Sequence, residues 1–246
     1  TMKKLLILLF GLISYVIFFV TFLYAIGFVG NLYVPLSIDK GGITGSNALI
    51  INILLLSVFA IQHTIMARPG FKRWLAKFMD PAMERSLFVL LSSAALILLF
   101  WKWQPMTTRV WNIEGALYIK IIQIGFWSGW AIVLISTFLI SHFHLFGLQQ
   151  VFQRFKNQSL SNPKFQKNLF YKLVRHPIMT GFIIAFWAEP VMTQGHFLFA
   201  AVTTIYIFIA VKFLEERDLV ALHGDKYKDY QKSTPMLIPF TKFKKK

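Results

Sequence analysis

Runs of about 20 mostly apolar residues constrain this chain more than any other feature, because a helix needs about that length to cross roughly 30 Å of hydrocarbon. Leu5–Phe28 contains no charge, and Ala48–Met66 carries Asn52, Gln62 and His63. Ser86–Trp103 has Lys102 close enough to its end to snorkel toward water. Ile121–Ser141 runs up to His142. A fifth stretch, Ile178–Ala188, is too short to cross alone at about 1.5 Å per residue. Glu189-Pro190 and Gln194-Gly195 separate it from a last apolar run, Phe197–Phe213. The two read as a helical hairpin with a short first arm. The expectation is an all-α, polytopic integral membrane protein of five to six transmembrane helices, the last two forming a hairpin, with a small cytoplasmic C-terminal cap. It reads as a single domain over 1–246, with four spans in 1–141 and the loop, hairpin and C-terminal segment in 142–246. The first span is too long, and lacks the small-residue cleavage site, for a removable signal.

Composition agrees. Hydrophobic residues make up 56% of the chain and charged residues 15%, against roughly 45–50% and about 25% in soluble domains. With no cysteine, the chain cannot build a disulfide scaffold, a Cys-ligated metal site or a cysteine nucleophile. The formal charge of +16 could suggest nucleic acid, but its placement explains it otherwise. From the N-terminus through successive connections to the C-terminal segment, the basic residues number two, one, five, three, six, none and nine. By the positive-inside rule both termini are cytoplasmic; no nucleic-acid partner is expected. The Lys-rich end, Lys242–Lys246, suits anionic membrane lipids.

Two clusters combine the residue types that bind a charged cofactor. In Tyr171-Lys172-Leu173-Val174-Arg175-His176-Pro177-Ile178-Met179-Thr180-Gly181, Pro177 suits the first turn of a helix. The amides of Ile178, Met179 and Thr180 then become donors suited to a carboxylate or phosphate. Arg175 and His176 stand beside them, and Gly181 permits close backbone approach. The same run also suits an interfacial anchor. The second cluster, Glu215-Glu216-Arg217-Asp218-Leu219, extends a membrane helix with charge, which is expensive unless partnered or solvated. Gly224 is a helix stop; Tyr227 and Tyr230 then share a helix face. A juxtamembrane helix emerging into water fits this run too. A third run, Ser141-His142-Phe143-His144, has no carboxylate near it in sequence, so no metal site is expected. His63 reads as an interior hydrogen-bonded residue and His196 as an interfacial one. The hairpin brings the first two clusters to one side, where helix-end amides, carboxylates and tyrosines suit a zwitterionic cofactor with a positive centre.

The run Arg175-His176-Pro177, Gly181, Glu215-Glu216, Leu219, Gly224, Tyr227, Tyr230 and Pro239 resembles the signature of the isoprenylcysteine carboxyl methyltransferase superfamily, which also includes nurim and the NnrU-type membrane proteins. The stretches at 62–74, 83–93, 136–152 and 181–200 are similar to the bacterial methanethiol S-methyltransferase family. The resemblance implies an S-adenosylmethionine-dependent small-thiol methyltransferase in a bacterial inner membrane, with its cofactor site facing the cytoplasm. Methanethiol would be converted to dimethyl sulfide, and hydrogen sulfide to methanethiol. Carried over by position, the cofactor meets Tyr171, Arg175, His176, Pro177, Ile178, Met179, Gly181, Glu215 and Glu216, with Tyr227 and Tyr230 closing the pocket. Two positions depart from the prenylcysteine branch: Met179 replaces its Tyr, and Val211 its substrate-binding Arg. Both fit a small neutral thiol. Arg217, His144 and His142 are the candidates for activating that thiol. The competing readings are a non-catalytic accessory protein of the same fold and a methyltransferase for a prenylcysteine or lipid.

Overall fold

A computed structural model of the chain describes residues 2–42, 45–161 and 166–242; the residues of the Lys-rich end beyond Lys242 lie outside them. The expected all-helical membrane architecture is present. Among the described residues, five helices are long and apolar enough to cross a bilayer: Met2–Gly30, Ala48–Ala67, Pro81–Lys102, Ala116–Ile140 and Gln194–His223. The shorter apolar helix Pro177–Trp187 accompanies them. Many large apolar side chains point outward, among them Leu6, Ile13, Val20, Leu54, Ile124 and Ile205, which suits a lipid-facing surface and would be unstable in water.

The chain forms two compact units. The first holds α1 (Met2–Gly30), α2 (Ala48–Ala67), α3 (Pro69–Leu75), α4 (Glu84–Lys102), α6 (His142–Leu145) and α7 (Leu148–Phe155). Here α4 packs against α1 and α2, and α7 packs across α1. Two polar residues inside its spans show how such groups are satisfied. Buried Asn52 donates to the Gln104 carbonyl at 2.7 Å and accepts the Gln104 amide at 2.9 Å, satisfying backbone just past the end of α4. His63 Nδ1 lies 3.3 Å from the Ser92 hydroxyl, the interior role its sequence setting suggested.

The second unit holds β1 (Arg109–Asn112), α5 (Ala116–Ile140), α8 (Pro177–Trp187), β2 (Val191–Thr193), α9 (Gln194–Ala210), α10 (Glu216–His223) and α11 (Asp225–Ser233). Its main contact joins α5 to α8. At this seam a Cβ on Gly129 would sit 2.6 Å from the Ala185 amide nitrogen, and one on Gly181 would sit 2.7 Å from the Gly129 carbonyl oxygen. Helices in lipid gain most from such close backbone approach. Gly181 is therefore a packing glycine of the α5–α8 seam.

The hairpin of α8 and α9 is present, and its turn is more ordered than expected. β2 pairs antiparallel with β1; Ile113 N–H donates to the Pro190 carbonyl at 2.9 Å and Gln194 N–H to that of Thr108 at 2.8 Å. Strands this short leave no readable alternation. His196, in the first turn of α9, is fully buried, with Nε2 2.9 Å from the Phe186 carbonyl oxygen.

Beyond Ala210 the last long helix passes through a π turn, Val211–Glu215, into α10. Gly224, at φ +59°, ends α10, as its sequence position suggested. The segment after α11 then returns to the start of α8. Pro235 and Met236 carbonyls accept the amides of Arg175 and His176 at 2.9 and 3.2 Å. The Leu237 carbonyl accepts the Thr180 hydroxyl at 2.7 Å.

Candidate active site

Every part of the candidate site in the second unit is built around one carboxylate, Glu216. Arg175 grips it with both arms, Nε to Oε1 and Nη2 to Oε2, each at 2.8 Å. His176 Nε2 lies 2.6 Å from Oε1, the Tyr227 hydroxyl donates to the same oxygen at 2.8 Å, and Gln231 Nε2 donates to Oε2 at 2.6 Å. Arg175 also donates from Nη1 to the carbonyls of Gln231, at 3.2 Å, and Thr234. Arg175, His176 and Glu216 are all buried. A buried ion pair repays its desolvation only when the remaining donors and acceptors are satisfied in this way. The fork of Arg175 is committed to this frame and, with Glu216, holds His176 in place.

Glu215 differs from its neighbour. Its side chain is 45% exposed, against 7% for Glu216, and its carboxylate lies 3.6 Å from His176 Nδ1. That separation is a charge contact rather than a hydrogen bond. The π turn makes the arrangement possible. Adjacent residues of a regular helix point about 100° apart, and an inserted residue re-aims the side chains at its end, so both carboxylates can reach one imidazole. Burial opposes charge on His176, but the Glu215 charge and the contacts to Glu215 and Glu216 outweigh it and raise its pKa to about 9. His176 is therefore an imidazolium at neutral pH, bracketed by two carboxylates.

The helix start lies next to this pair. Thr180 N–H already donates to the His176 carbonyl at 3.1 Å. This removes Thr180 from the expected anion-binding amides and leaves those of Ile178 and Met179, in the first turn after Pro177. Ile178 and Met179 are half-buried. The three tyrosines are frame residues in this arrangement. Tyr227 holds Glu216, Tyr230 donates to the Tyr171 carbonyl, and the Tyr171 hydroxyl donates to the Ser136 carbonyl at 3.3 Å. Burial raises the pKa of all three phenols. Each keeps its proton for these bonds.

The candidates for thiol activation lie apart from the frame in sequence and role. Arg217 is exposed on α10. His142 and His144 belong to the first unit. His142 is buried among aromatic rings, with Nε2 2.8 Å from the Tyr15 hydroxyl. Burial lowers the pKa of both histidines, so both are neutral near pH 7.

No family model matches the chain, and no solved structure does. Curated relatives match over nearly the whole length. A methanethiol S-methyltransferase of Bradyrhizobium diazoefficiens is 52% identical over 96% of this chain and 91% of its own. One of Mycobacterium tuberculosis is 48% identical over 97% and 98%. The chain belongs to the methanethiol S-methyltransferase family. Nurim of Danio rerio is a distant relative, 26% identical over 82% of this chain and 76% of its own.

In this methyltransferase, the residue that sequence reasoning missed is Gln231. Its signal was available, since it stands four positions after Tyr227 and so shares that residue's helix face. Tyr15, the partner of His142, gave no comparable signal, because 127 positions separate the two.

Proposed function

We propose that the chain transfers a methyl group from S-adenosylmethionine to the sulfur of methanethiol, giving dimethyl sulfide, on the face where Glu215 meets His176 at the start of α8. The single observation that carries this reading is the contrast between the saturated, buried Glu216 and the half-exposed Glu215 beside it, in a chain of this family. The donor set fits the cofactor. First-turn amides suit its carboxylate, and Glu215 suits its ribose hydroxyls or ammonium group. Bound there, the cofactor supplies a methyl group activated on a sulfonium.

The protein's own residues have three tasks. The Arg175–Glu216 frame fixes His176, and His176 with the π turn fixes Glu215. The apolar neighbours keep water from the reacting groups. Positioning of the two reactants then lowers the barrier. The thiol must lose its proton, because the thiolate is the nucleophile. Neutral His142 and His144 have the lone pair this needs, and Arg217 offers only charge.

A small acceptor is favoured by one apolar cluster. Met179 and Val211, the two departures from the prenylcysteine pattern, both belong to it, with Ile207 and Leu237. A carboxylate-bearing substrate would meet hydrocarbon there. Hydrogen sulfide, smaller still, is a second acceptor under this reading. The positive-inside pattern supports a cytoplasmic face for the site and an inner-membrane location.

Purified protein given S-adenosylmethionine and methanethiol is expected to release dimethyl sulfide into the headspace, and none without thiol. Absence of dimethyl sulfide, together with methylation of a prenylcysteine analogue, would replace this reading.

A further inference from the structure

Gln231 links the C-terminal helix to both halves of the buried ion pair, by its side-chain amide to Glu216 and by its backbone carbonyl to Arg175. Its Nε2 donates to Glu216 Oε2 at 2.6 Å. Its backbone carbonyl accepts Arg175 Nη1 at 3.2 Å and also the Lys242 ammonium. Through Glu216 it reaches His176, and through His176 the half-exposed Glu215. The charged and titratable groups around it are Arg175 and His176 before α8, Glu215 and Glu216 around the π turn, Tyr227 on its own helix, and Lys242 beyond. The two cations Arg175 and His176 are matched by the two carboxylates. A neutral donor at position 231 completes the hydrogen bonding of Glu216 without disturbing that balance.

We propose that Gln231 is a positioning residue of the methyl-donor site, holding the Glu216 carboxylate so that His176 presents Glu215 to the cofactor. The inference rests on the reading that the donor binds beside Glu215. An amide does this at any pH. A carboxyl group at the same place does it only while protonated, since its ionised form would face ionised Glu216 and like charges raise a carboxyl pKa.

The test is S-adenosylhomocysteine affinity of the full-length protein in detergent, measured from about pH 5 to about pH 8. Wild type is expected to bind with little change over this range, because His176 stays protonated. Gln231→Glu is expected to bind like wild type at the acid end and to weaken by about tenfold or more as pH rises. Gln231→Met, which removes the donor without adding charge, is expected to bind about tenfold more weakly throughout, with no such pH dependence. Should Gln231→Met fail to fold, recovery of Gln231→Glu at low pH still decides the matter. Wild-type-like binding by Gln231→Glu at every pH overturns the positioning role, as does a loss in that variant that is the same at every pH. Failure of wild type itself to bind S-adenosylhomocysteine overturns the donor reading, and this inference with it.

Discussion

Glu215 and Glu216 are the same residue type at consecutive positions, yet their surroundings give them opposite tasks. Glu216→Gln removes the charge that faces buried Arg175 and His176, and breaking a buried pair costs about 3–5 kcal/mol. Its expected result is a large fall in thermal stability. Glu215→Gln removes a half-exposed charge and is expected to change stability by about 1 kcal/mol or less while removing turnover. Thermal unfolding in detergent beside a dimethyl sulfide assay separates the two. His176 adds a pH dependence of definite sign. Its folded-state pKa, about 9, lies above the ordinary 6.5. The stability it contributes is therefore complete below pH 6.5 and is lost as pH rises through 9. Unfolding midpoints measured across that window should fall, and a midpoint that climbs would contradict a charged His176. The sequence showed that His176 and the Glu pair belong together. It did not show which Glu faces outward, because that depends on the π turn and on donors from α11.

At the scale of elements, the most readable features were those set by composition. The spans follow from apolar length, and the short α8 was legible from its polar borders and Pro177. Gly181 was readable as a point of close approach, and the backbone it approaches is that of α5. Gly181→Ala is expected to cost about 1–3 kcal/mol through overpacking, because the new Cβ would meet a backbone carbonyl oxygen at 2.7 Å. A reduced unfolding temperature, with wild-type affinity for S-adenosylhomocysteine in the fraction that remains folded, checks this. Equal losses of binding and stability at Gly70, where a Cβ meets nothing within 4 Å, would argue against the packing explanation. The β1–β2 ribbon was not legible, since its few residues pair through backbone groups that any sequence possesses.

For the whole molecule, the proposed orientation in the membrane rests on the distribution of basic residues. The chain has no cysteine, so single cysteines can report sidedness without background. An impermeant maleimide applied to intact spheroplasts is expected to label Glu114→Cys and to spare Lys228→Cys until the membrane is opened; both positions are exposed. The reverse pattern would place the candidate site on the other face. The most direct test follows methyl-labelled S-adenosylmethionine into volatile dimethyl sulfide, using purified wild type and Glu215→Gln at matched folded concentration. Transfer by wild type and a loss of about 100-fold or more in the variant, equivalent to about 2.7 kcal/mol, is the expected result. Equal transfer by both proteins would show that the methyl donor binds elsewhere.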